Sequence, residues 1–102
     1  MLTLHQLERC PWCAAVRQAI LNVGIESYTI VNVPHEREKR TTVVDLTGQP
    51  RVPVLVDGDT VLWDSRRIVR YLYATYGGSE RARSIAELPD DVGGQRTLGA
   101  SG

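Results

Sequence analysis

Residues 2–33 read LTLHQLERCPWCAAVRQAILNVGIESYTIVNV, and the succession of patterns within them decides the fold. Leu2 to Gln6 puts Leu2 and Leu4 on one face of a short strand. From Pro11 onward Trp12, Val16, Ala19, Ile20 and Val23 recur at helical spacing; Pro11 suits the first helical position and Gly24 is a stop signal. Ser27 to Val33 is rich in β-branched residues and reads as a second strand. A strand, a helix and a strand at these spacings predict a right-handed parallel crossover.

Downstream of that unit, Pro34 opens a charged stretch, Glu36 to Arg40, that runs into Val43, Val44 and Leu46 before Gly48. It reads as an amphipathic helix with its charges on the wet face. Val52 to Val56 and Thr60 to Trp63 flank Asp57-Gly58-Asp59, a strong hairpin signal. Asp64 or Ser65 can cap a last helix, in which Ile68, Val69, Leu72, Tyr73 and Tyr76 fall three or four apart until Gly77 and Gly78 end it. The expected order is βαβαββα, an α/β domain over residues 1–78 with a four-stranded mixed sheet covered by helices on both faces. Residues 79–102 hold few large apolar side chains and are expected to form a flexible tail, with one short helical turn near Arg83 to Leu88.

Composition narrows the function classes. A length of 102 residues suits one domain with a single core. Twelve Lys and Arg balance twelve Asp and Glu, which argues against the clustered cations of a nucleic-acid surface. No apolar run approaches the roughly 18 residues of a membrane span, and Met1 to His5 lacks the pattern of a signal peptide. The expectation is a cytoplasmic monomer that binds neither nucleic acid nor membrane.

The only two cysteines, Cys10 and Cys13, form one CxxC motif between a strand and the first turn of a helix. So close a pair cannot staple distant parts of the chain, and in a reducing compartment it reads as redox-active or metal-binding. A helix N-terminus carries unpaired N–H groups and partial positive charge, which favour a thiolate at Cys10. Cys13, one turn on, lies within reach of it. Cys10 would attack a disulfide, and the resulting mixed disulfide would be resolved by Cys13 or by a second thiol molecule. A zinc site needs about four ligands, and no second cysteine pair is present, so no metal site is expected.

These residues resemble the glutaredoxins and the N-terminal domain of the glutathione S-transferases, both of thioredoxin-like fold, over about three-quarters of the chain. Cys10-Pro11-Trp12-Cys13 is similar to the dithiol glutaredoxin active site, with Trp12 where that family often has Tyr or Phe. Val52-Pro53 looks like the family's Val-Pro with a cis peptide bond, and Trp63-Asp64-Ser65 like the acidic-Ser pair of the transferase-like members. The resemblance implies a glutaredoxin-type thiol-disulfide oxidoreductase that uses glutathione, or a similar small thiol, as cosubstrate and no tightly bound cofactor. Its partners would be disulfide-containing or glutathionylated proteins. Val52 and Pro53 would present backbone groups to the cysteinyl part of glutathione, and Asp64 and Ser65 would hold its γ-glutamyl end. Arg51 and Gln49 are candidates for its glycine carboxylate. Many glutaredoxins carry Lys or Arg three residues before the first cysteine; this chain has Leu7 there and Arg9 next to Cys10.

Two alternatives compete. One is a stand-alone transferase-like module that binds glutathione or a protein without turnover; the other is a carrier of an iron–sulfur cluster bridged between two chains. Residues 79–102 are too short and polar for the helical domain that completes a transferase. Blander roles stand beside the sharp ones: Asp64-Ser65 as a helix cap, Trp63 and the tyrosines at 71, 73 and 76 as packing, His5 and His35 as structural or solvated groups. Trp12, next to the nucleophile, is expected to be exposed.

Overall fold

Alternation in Leu2–Gln6 makes that segment, β1, the strand on which the sheet is built. The computed structural model describes residues 2–77 and 92–98. To one side of β1 lies β2 (Thr29–Asn32), parallel, with Leu4 opposite Ile30; to the other lies β3 (Val54–Asp57), antiparallel, with Leu4 opposite Leu55. A two-residue turn, in which Gly58 adopts a φ of 59° that favours glycine, leads from β3 into β4 (Thr60–Trp63).

Helix α1 (Pro11–Asn22) makes the β1 to β2 crossover, and α3 (Ser65–Tyr76) follows β4. Leu2, Leu4, Leu55 and Leu62 point to one face of the sheet, where they meet Val16, Ala19 and Ile20 of α1 and Ile68, Leu72 and Tyr73 of α3. Val54 and Val61 point to the other, against Val33 and against Val43 of α2 (Thr41–Thr47). Three hydrogen bonds tie α3 down further: Asn22 Nδ2 donates to Tyr73 Oη at 2.9 Å, and Asp57 accepts from the hydroxyls of Tyr71 and Tyr76. Those tyrosines therefore do more than pack, and the bond to Asp57 pushes the Tyr76 hydroxyl up to about 12.

The thioredoxin-like α/β architecture follows the sequence, with one more strand than expected. Among the described residues the sheet has five strands in the order β2-β1-β3-β4-β5, because Gly94–Thr97, placed by sequence in a flexible tail, forms β5 antiparallel to β4. The helical turn expected near Arg83 to Leu88 lies outside the described residues. A second correction concerns the charged run. Glu36 to Lys39 is exposed and includes a 3-10 turn at Arg37–Lys39, but Arg40 is buried and ends that turn rather than continuing a wet helix face. Among the described residues no helix is long and apolar enough to cross a membrane.

His5 is also buried, and its Nδ1 has no hydrogen-bond partner among the described residues. Burial lowers its pKa from the usual 6.5, because the imidazolium would lose its hydration. The unfolded chain therefore binds a proton that the folded chain refuses. Stability is expected to fall as pH drops below about 6.5, with a slope no steeper than about 1.4 kcal/mol per pH unit, and to level off below the folded-state pKa. Urea midpoints measured at pH 7.5 and 5.5 check this: His5→Gln should flatten the difference, and an unchanged slope in that variant would remove His5 as its source.

Candidate active site

The first N–H groups of α1 have no carbonyl partners within the helix, and a sulfur meets one of them. Cys10 is the N-cap, with φ −84° and ψ 119°, and its Sγ accepts from the Cys13 N–H at 3.4 Å. Pro11 occupies the first helical position, where its missing N–H costs nothing. Cys10 is half-buried, whereas Cys13 is fully enclosed. Burial pushes the Cys13 thiol up to about 12; the neighbouring Cys10 sulfur acts in the same direction, while the Leu7 backbone and Arg17 act against it.

Arg17 was not singled out in the sequence. It sits one turn after Cys13 on α1, donates through Nη1 to Gln6 Oε1 and reaches the Glu8 carbonyl through Nη2 at 3.5 Å. Gln6 in turn donates to Asn32 Oδ1 at 3.0 Å, so the cation is held against the ends of β1 and β2, next to the cysteine loop. The signal was its spacing: four residues beyond Cys13 on a helix is the same face. Arg9, beside Cys10 in sequence, is exposed.

A second loop approaches this helix end through a buried cation. Arg40 donates to three backbone carbonyls, those of Pro34 (2.7 Å), His35 (2.7 Å) and Pro50 (3.0 Å), and so joins the start of the α2 region to the segment entering β3. Gln49 then folds around Arg51, accepting from its N–H at 2.7 Å and donating to its carbonyl at 3.1 Å. The Val52-Pro53 peptide bond is cis and Pro53 is buried. Because β3 begins only at Val54, the Val52 N–H and C=O take no part in the sheet ladder.

The third contribution is the turn from β4 into α3. Asp64 caps α3 by accepting from the Arg66 N–H at 3.0 Å, with the Arg66 guanidinium 3.5 Å from the same oxygen. Its φ of 79° is rare for a residue with a side chain and places Asp64 among the strained positions that cluster at functional sites.

These segments enclose a cavity of about 790 Å³. Gln49, Arg51, Val52, Pro53, Asp64 and Ser65, the residues singled out by sequence for thiol binding, all line it. Trp12, which is 64% exposed, forms the wall nearest the cysteines, while Cys10 and Cys13 themselves lie outside the wall. Trp63 both packs on the valine core and lines the cavity, and Gly93, from the stretch read as a tail, closes it. Among the described residues no group of three His, Cys, Asp or Glu side chains is placed to hold a metal ion.

Comparison with known proteins bears on the family and the fold. Residues 4–80 match the family model described as glutathione S-transferase, N-terminal domain. The chain is 33% identical to glutathione S-transferase D7 of Anopheles gambiae, an alignment covering 82% of this chain and 42% of that protein. It is 30% identical to glutathione S-transferase 1 of Manduca sexta, over 78% of this chain and 38% of the relative. The chain thus spans about two-fifths of the length of these curated relatives. Among solved structures, glutathione S-transferase unclassified 2 from Bombyx mori superposes with a TM-score of 0.68 at 29% identity, covering 78% of this chain and 38% of that one. A diazinon-metabolizing transferase of the silkworm superposes at a TM-score of 0.67 and 24% identity, a likeness of fold.

The contrast between the two cysteines gives a direct expectation. At pH 8 iodoacetamide should add one carbamidomethyl group to the native protein, on Cys10, and a second only after denaturation. Peptide mass spectrometry locates the adduct, and rapid native labelling of Cys13 would contradict its burial.

Proposed function

We propose, since the chain belongs to the glutathione S-transferase N-terminal domain family, that it is a glutathione-binding module whose chemistry is thiol-disulfide exchange at Cys10. The observation that carries this reading is a cysteine sulfur capping α1 beside a cavity that gathers Val52, Asp64 and Ser65. Glutathione would lie extended along the cavity. Its cysteinyl unit would pair with the Val52 N–H and C=O in the manner of an added strand. Its γ-glutamyl ammonium would meet Asp64, its α-carboxylate the Ser65 hydroxyl and the N–H groups at the start of α3, and its glycine carboxylate Arg51 and Gln49.

The exchange balances without any further oxidant. The Cys10 thiolate attacks the glutathione sulfur of a glutathionylated protein, forming a Cys10-glutathione disulfide and releasing the target thiolate, which takes up a proton. A second glutathione, as thiolate, then attacks this disulfide, giving oxidised glutathione and regenerating the Cys10 thiolate. Release by Cys13 is the competing route, and its buried, protonated thiol makes that route slow. Arg17, held by Gln6 and the Glu8 carbonyl, is a fixed cation beside the cysteine loop. Two free thiols suit a reducing compartment such as the cytoplasm.

A second reading is favoured by the match to the transferase family: the module binds glutathione and either transfers it to an electrophile or turns nothing over. Purified protein separates the readings in three measurements: calorimetric glutathione binding, coupled reduction of a glutathionylated peptide, and conjugation of glutathione to chlorodinitrobenzene. The expected result is binding plus peptide reduction. Cys10→Ser should lower that reduction at least about 100-fold, as loss of a covalent nucleophile does, while Cys13→Ser stays within about threefold of wild type. Asp64→Ala should weaken glutathione about tenfold, the loss of one charge-assisted contact. Binding with conjugation but no reduction would replace the exchange reading by transfer.

A further inference from the structure

The C-terminal strand does not look like a strand in sequence, yet it reaches the thiol cavity. Gly94–Thr97 is glycine followed by polar residues, and three of its four residues are exposed. It is nevertheless held at both ends. Arg96 Nη1 donates to the Leu46 carbonyl at 3.2 Å and reaches that of Asp45 at 3.5 Å, near the end of α2. The Leu98 N–H donates to the Asp59 carbonyl, and the Leu98 side chain packs on the valine core.

At the other end Gly93 and Gly94 make the closest approach of the strand to the site. Gly93 has a φ of 64°, and a Cβ there would stand 2.0 Å from the Trp63 carbonyl oxygen and 2.4 Å from Asp64 Cβ. A Cβ on Gly94, which pairs with Trp63, would stand 2.0 Å from Cζ2 of the Trp63 indole. Only glycine fits either position without displacing its neighbour. The residues touched, Trp63 and Asp64, line the same cavity as Gly93, and Asp64 has the positive φ that its surroundings have to enforce.

We propose that β5 is a working wall of the thiol site: the Gly93-Gly94 pair seats against Trp63 and Asp64 and positions the Asp64 carboxylate for the amino end of the small thiol. The inference rests on the glutathione-binding reading above and adds to it a segment, 93–98, beyond the stretch that matches the family model. Gly93 and Gly94 are positioning residues. They act through the geometry of Asp64 and Trp63 and not on the reacting sulfur. Displacing them is therefore expected to raise the KM for glutathione while leaving Cys10 reactivity alone.

The experiment compares wild type with Gly93→Ala, which pushes the strand off the Trp63 backbone, Gly94→Ala, which displaces the indole, and Arg96→Ala, which releases the strand without entering the cavity. Calorimetric glutathione affinity, KM and kcat for glutathione in peptide reduction, and the rate of Cys10 alkylation by iodoacetamide are measured on each. Affinity should fall and KM rise about tenfold in Gly93→Ala, and less in the other two variants. The kcat and alkylation rate should stay within about twofold of wild type, a split that general loosening of the fold does not give. If circular dichroism shows Gly93→Ala misfolded, Arg96→Ala decides. Wild type that binds glutathione, with Arg96→Ala and any folded glycine variant binding equally well, overturns the role of β5 alone. Wild type that does not bind glutathione overturns the site reading and this inference together.

Discussion

The free N–H groups at the start of α1 set the requirement around which the rest is arranged. A helix that begins between a sheet and another helix has to find an acceptor for these donors, and here one acceptor is a sulfur, Cys10 Sγ on the Cys13 N–H. The sulfur that caps the helix is thereby held at a fixed point at the start of α1. The parallel β1-α1-β2 crossover starts this helix just past the C-terminal end of β1, a strand flanked by β2 and β3. The core leucines of β1, β3 and β4, against α1 and α3, keep it there. Each buried leucine contributes on the order of 2 kcal/mol, and none of them touches the chemistry.

Binding groups then have to come to a point fixed by packing, and they arrive on loops that are each tied down by a polar residue. Arg40, buried and bonded to three carbonyls, fixes the loop that enters β3 and with it the Val52 backbone. Breaking such an arrangement would leave the buried guanidinium short of acceptors, which costs about 1–3 kcal/mol or more. Asp64 fixes the turn into α3 by capping it. The residue that caps α3 also lines the cavity, so capping by Asp64 is compatible with the proposed ligand contact.

Most of this was legible in the sequence because period and punctuation carry it. The strand at Leu2–Gln6, the helix from Pro11, the hairpin at Gly58 and the helix from Ser65 all declared themselves through spacing and turn residues. What was not legible depends on tertiary neighbours. Arg40 sits in a run of charges whose other members are exposed, and only the folded loop shows that its guanidinium faces inward. Arg17 looked like an ordinary helix-surface residue until Gln6 and Glu8 were brought beneath it. Strand β5 has neither alternation nor β-branched content beyond Thr97; its pairing is imposed by the open edge of β4 and by two anchors distant in sequence. Propensity cannot reveal a strand that exists because of its partner.

The unequal burial of the two sulfurs bears on which oxidised form the site can hold. A Cys10-Cys13 disulfide is neutral, so enclosing Cys13 does not penalise it; what enclosure penalises is the Cys13 thiolate that would have to form on the way. In the proposed exchange the obstacle to a dithiol route would therefore be kinetic and lie in removing a proton from the interior. Access also separates the two partners of that exchange: a small thiol would meet a half-buried Cys10, whereas Cys13 would meet it only as a buried thiol. In the proposed exchange that contrast favours the small thiol over the second cysteine as the partner that would return Cys10 to its starting state.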